Sequence, residues 1–143
     1  MEAREYLEEV GKINKLIENK LVEQMQWQSI AEGMSAKVAG ERVQSSPTQH
    51  KMEDAAIRVV DIERDIDLLI QRLIDRQQDI INTLEQLEAT SYDVLHKIYV
   101  QGLQVQEIAA MYHTTMRSIN RKKGKALKQV QVILNDREKK AKG

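Results

Sequence analysis

Between Val59 and Leu87 the chain keeps a register that few folds can use. Val59, Ile62, Ile66, Leu69, Leu73, Ile80 and Leu87 recur on a heptad seam, interrupted only by Arg76 and Thr83. Such spacing lines one face of an α-helix, whereas a half-buried strand needs strict alternation. The seam predicts one long helix over residues 51–88. Ile70, Ile74, Ile81 and Leu84 widen it into a stripe too broad for a single neighbour. A first helix over residues 2–32, with Tyr6, Val10, Ile13, Ile17 and Leu21 at the same spacing, can fold back as a hairpin and cover part of it. The rest is left for the C-terminal domain or for a second subunit. The seam residues Val59, Ile62, Ile66, Leu69, Leu73, Ile80 and Leu87 are therefore the expected oligomerisation surface, most simply of a homodimer.

Composition supports an all-α chain. There is one Pro, no Phe and only 3% aromatic residues, which favours helices over sheets. Gly33, Gly40 and the run Ser45-Ser46-Pro47-Thr48 predict a loop over about 33–50. With no Cys, disulfides and thiolate metal sites are excluded. No apolar run approaches ~18 residues, and the N-terminus is charged from its second residue, so neither a membrane span nor a signal peptide is expected. A cytoplasmic location follows as an expectation. The carboxylates Asp61, Glu63, Asp65, Asp67, Asp75 and Asp79 alternate with Arg58, Arg64, Arg72 and Arg76, the pattern of a solvated ion-pair face rather than a metal site. His96 and His113 lack a third ligand, and His50 lacks a catalytic partner. No Gly-rich phosphate loop or nucleophile–base pair is present, so no enzyme, cofactor or small-molecule substrate is expected.

Charge is distributed unevenly. The formal net charge is zero, yet residues 115–143 hold ten Lys and Arg against two acidic residues, Asp136 and Glu138. That end carries +8 and the first 114 residues −8. Such asymmetry marks a nucleic-acid-binding end. The basic end coincides with a helix–turn–helix pattern. Val105, Ile108, Ala109 and Tyr112, then Ile119, Ala126, Leu127 and Val130, can share one small core. Thr90-Ser91-Tyr92-Asp93 is a capping-box pattern opening an earlier helix through about Val100, with Tyr92, Leu95, Ile98 and Tyr99 as core residues and Gly102 as its stop. The last helix starts at Met116, capped by Thr114 or Thr115, and runs through Leu134. Ile119, Ala126 and Val130 form its braced face, and Arg117, Arg121, Lys125 and Lys128 its opposite face. Residues 135–143 read as a frayed basic tail. The expected domains are a hairpin over 1–88, a helix–turn–helix domain over 89–135 and the tail over 136–143.

With Tyr99, Gly102 and Leu103 in front of Glu107-Ile108-Ala109, Thr115, Ile119 and Lys125-Ala126-Leu127, this segment is similar to the domain of bacterial sigma factors that reads the promoter −35 element. The Asp61-Ile62-Glu63-Arg64-Asp65-Ile66 and Lys123-Gly124-Lys125-Ala126-Leu127 runs make the whole chain resemble small prophage proteins that join a helical hairpin to a sigma-like helix–turn–helix. There are departures. His113 stands where the family has a turn Gly, Gln104 replaces a Ser or Thr cap, and Met116, Arg117 and Arg121 differ from the sigma pattern. The −35 base preference is therefore not implied. The resemblance implies a sequence-specific transcription regulator that binds double-stranded DNA and works with host RNA polymerase. In that reading Arg117 and Arg121 reach base edges. Thr114, Thr115, Ser118, Lys122, Lys125 and Lys128 contact phosphates, and Met116, Asn120 and Gly124 complete the surface. Two alternatives remain open from sequence. One is a DNA-packaging protein like small terminase subunits. The other is a coiled-coil interaction protein that binds RNA polymerase without specific DNA recognition.

Overall fold

The heptad seam does become one long helix, and its partners lie in the same chain. The structure, a computed structural model, describes residues 1–33 and 46–142. Among them it is all-α, with no strand. The elements are α1 (Ala3–Ala31), α2 (Ser46–Leu84), α3 (Ala89–Leu95), α4 (Val105–Met111) and α5 (Met116–Lys142), with a π-helical turn, His96–Val100, after α3. α2 begins at Ser46, so residues 46–50 of the expected loop are helical. Pro47 is no obstacle there, because a proline in the first turn gives up an N–H that has no intrahelical acceptor. Residues 34–45 of that loop, with Gly40, lie outside the described residues.

The chain forms two compact units, Ile13–Arg72 on one hand and Met1–Lys12 with Leu73–Gly143 on the other. In the first, α1 and α2 pair as an antiparallel hairpin. Ile13, Ala55, Ile62 and Ile66 are its buried apolar residues. Lys20 reaches Asp65 at 3.9 Å, Gln24 Nε2 donates to the Val59 carbonyl at 3.4 Å, and the Arg58 guanidinium stacks 4.8 Å from the Trp27 ring centroid. α1 ends at Ala31, and the turn after it uses Gly33, whose φ of +74° and closeness to Met52 leave little room for a side chain.

The second unit draws on both ends of the hairpin, so the division falls at residues 12 and 72 rather than at 88. The reason lies in where the apolar side chains go. Tyr6, Leu7 and Val10 of α1 join Ile80 and Leu84 of α2, Leu95 of α3, and Ala126, Val130 and Leu134 of α5 in one core. A second cluster, Val94, Ile108, Ala109 and Ile119, is flanked by Ile98, Leu103 and Val105. The single small core expected for the helix–turn–helix is thus two. α3 and its π turn serve both, since Val94 and Ile98 face the second cluster while Leu95, Tyr99 and Val100 face the first.

The expected oligomerisation seam is largely covered inside the chain. Ile62, Ile66 and Ile80 are buried, Leu73 and Leu87 pack against the first core, and Val59 and Leu69 are half-buried. Side chains enclosed by their own chain leave no such seam for a partner. Thr83, a polar interruption of the seam, is fully buried and satisfied. Its Oγ1 accepts from Arg137 Nη2 at 2.6 Å and lies 2.8 Å from the Tyr6 hydroxyl, which donates to Asp79 Oδ2 at 2.6 Å. Burial raises the Tyr6 phenol above its ordinary pKa, with Asp79 adding to the effect. Arg76, the other interruption, is held by Glu9 at 2.8 Å.

Candidate nucleic-acid interface

The basic face depends on how α5 is held. α4 lies against it through Ile108 and Ala109, which meet Ile119 in the second cluster. The turn between the two helices closes on its backbone. His113 has φ 52°, its N–H bonds the Ala110 carbonyl at 3.3 Å, and the Thr114 N–H reaches the Ala109 carbonyl at 2.9 Å. Those two bonds around a left-handed residue form a Schellman motif, usually completed by Gly. Histidine tolerates that conformation better than bulkier or branched residues do. Of the two candidate caps, Thr115 is used. Its Oγ1 accepts the Ser118 N–H at 3.1 Å, satisfying one of the free donors at the start of α5.

Three local expectations need correction. The capping box at Thr90–Asp93 does not form. The residue before α3 is Glu88, which makes no side-chain cap. Asp93 instead accepts hydrogen bonds from Lys97 and from the Tyr112 hydroxyl. Burial pushes the Asp93 carboxyl up, but those two donors outweigh it and hold it below the ordinary value. The same bond to Asp93 raises Lys97. Tyr112, expected in the core, is 45% exposed. Its ring lies over the surface, with the Lys97 ammonium 5.4 Å from the centroid. Gln104 precedes α4 without a side-chain cap, as the departure from the family pattern implies. The basic tail is not frayed: α5 runs unbroken to Lys142, anchored by Arg137 on Thr83.

On α5 itself the two expected faces are distinct. Ile119, Ala126 and Val130 have no exposed surface. Arg117, Asn120, Arg121, Lys122, Gly124, Lys125 and Lys128 are exposed, as are Thr115 and Met116, while Thr114 and Ser118 are half-buried. Lys125 is not wholly free, since its ammonium lies 3.5 Å from Glu88. A methyl group at Gly124 would meet nothing within 4 Å, so packing does not demand glycine there. Lys123 turns toward the Tyr99 ring, 6.0 Å away, and is half-buried. Because α5 continues, Lys139 returns to the face of Arg121 after about five turns. Between Lys128 and Lys139 that face carries uncharged Val132 and Asn135, so the continuous basic stripe ends at Lys128.

In comparisons with protein-family models, curated proteins and solved structures, nothing matches this chain.

What the face can do follows from its own chemistry. Arg guanidinium groups one turn apart on an exposed, braced helix can lie side by side in a groove and offer bidentate donors to base edges. Lysines around them suit phosphate oxygens. Among the described residues no group of three or more His, Cys, Asp or Glu could hold a metal ion. No helix among them is long and apolar enough to cross a membrane. Two arrangements escaped the sequence reading. One is the Tyr6–Asp79–Thr83–Arg137 network and the other the Asp93–Lys97–Tyr112 group. Both join residues through tertiary contacts. The only hint of the first was a threonine in a largely apolar seam.

Proposed function

We propose that this protein is a sequence-specific DNA-binding transcription regulator of phage type, acting as a homodimer beside host RNA polymerase. The observation that carries the reading is the first half of α5. Its inner face is enclosed, and its outer face presents Arg117 and Arg121, with Lys122, Lys125 and Lys128 around them. A short bracing helix, a tight turn and an exposed basic second helix are the parts by which a helix–turn–helix enters the major groove. The +8 charge of residues 115–143 supports a polyanionic partner. The resemblance of Glu107-Ile108-Ala109, Ile119 and Lys125-Ala126-Leu127 to the sigma pattern supports the link to transcription.

Selection of tight-binding duplexes from a random-sequence DNA pool tests this. The expected result is a shared motif that the protein prefers over scrambled DNA at moderate salt. A pool that stays random through successive rounds, with binding that vanishes as salt rises, would leave a charged surface without sequence recognition.

A further inference from the structure

We propose that two copies of the chain pair antiparallel through the outer face of α2 within the unit Ile13–Arg72. This rests on the homodimer reading above and gives it a different surface from the heptad seam, which the chain itself covers. Ile62 and Ile66 point into the hairpin. Arg64 lies about 200° round the helix from each, on the opposite side. Along that side a second heptad stripe runs through Ile57, Val60, Arg64 and Asp67, all exposed. Ile57 and Val60 are 60% and 48% exposed, and Leu68 beside Asp67 is 71% exposed. Large apolar side chains this open, at coiled-coil spacing on a long helix, fit a facing helix.

The charges on the stripe name the occupant. Arg64 and Asp67 form its C-terminal half, and neither is in an ion pair with a described residue. In a parallel pair Arg64 would face Arg64 and Asp67 would face Asp67, which is repulsive. A twofold axis midway between the two residues sets Arg64 of each copy against Asp67 of the other. Leu68 then covers Val60 and the aliphatic stem of Arg64 on the facing helix. The charged half of the stripe is thus complementary to itself in one orientation only. Asp61, Glu63 and Asp67 on and beside it make nucleic acid an unsuitable occupant. With so few apolar residues per copy, the pairing is weak and dissociates in the micromolar range.

Light scattering and sedimentation equilibrium on the full chain, up to tens of micromolar, test the surface. The wild type dimerises. Arg64→Asp and Asp67→Arg each weaken self-association at least about tenfold, because like charges now meet. Both stay folded by circular dichroism, since both positions face solvent. An equimolar mixture of the two variants dimerises again, as does the double variant R64D/D67R. A wild type that dimerises while both single variants do so equally well overturns this surface and leaves the homodimer standing elsewhere. Weakening without recovery in the mixture overturns the reciprocal pairing. A wild type that stays monomeric throughout the range contradicts the surface and the homodimer together, and DNA selection is unaffected by either result.

Discussion

His113 adopts a positive φ of 52°, which no other non-glycine among the described residues shares. A left-handed backbone costs an L-residue roughly 1–2 kcal/mol, and Gly returns about 0.5–1 of that through the freedom of the unfolded chain. His113→Gly should therefore stabilise the protein by up to about 1 kcal/mol. A urea titration would read this as a higher midpoint at unchanged slope. Asp93 offers a test by pH. Its folded pKa is depressed below the ordinary 3.8, so its contribution is present above that value and fades as pH falls through the lower, folded value. Lys97 is raised above 10.5, so its share is present below that value and fades as pH climbs through the folded one. Asp93→Asn should cost about 1 kcal/mol at neutral pH and much less in strong acid, where the wild type has lost the same bonds. A constant difference across pH in chemical denaturation would show that this group does not contribute through ionisation.

At the scale of elements, α5 serves two purposes along one rod. Its first half carries the basic face, and its second half is fastened to the ends of α1 and α2 by Leu134 and Arg137. Arg137→Met keeps an aliphatic stem but strips the donor from buried Thr83. It should destabilise by about 1–2 kcal/mol in calorimetry or denaturant. If residues 135–143 behaved as a tail, it would change nothing. The rod also carries Gly124, where a side chain would have open space. Gly124→Ala should stabilise the helix by about 1 kcal/mol, and should weaken DNA binding if the backbone lies close to a groove wall there. Unchanged affinity would free Gly124 from any role at the interface.

The long helices were legible because each apolar face repeats every three or four residues over many turns. Val59–Leu87 and Tyr6–Ile17 carry that signal within one segment. The anchoring of Arg137 was not legible, because its acceptor lies 54 residues earlier in sequence. Thr90–Asp93 had the capping pattern, yet Asp93 found better donors in Lys97 and in distant Tyr112. A local rule yielded there to a tertiary contact. The basic face was legible residue by residue, since Arg117, Arg121 and Lys128 needed only the helical period and the position of Ile119. That α5 carries Lys139 on the same side became visible only with its unbroken end.

For the molecule as a whole, zero net charge conceals two opposed halves. The acidic part lies before residue 115, and the basic part carries the candidate interface. Binding to duplex DNA should then be steeply salt-dependent despite the neutral total. Lys128→Ala should weaken binding to every duplex alike and reduce the salt slope by about one. In the proposed function α5 reads bases rather than merely supplying charge, and that distinction is measurable. It is tested most directly by the affinity of the wild type and Arg121→Ala for the selected duplex and for a scrambled one, at the same moderate salt. Base reading by Arg121 should give a loss of about 1–3 kcal/mol on the selected duplex and little change on the scrambled one. An equal loss on both duplexes would contradict it.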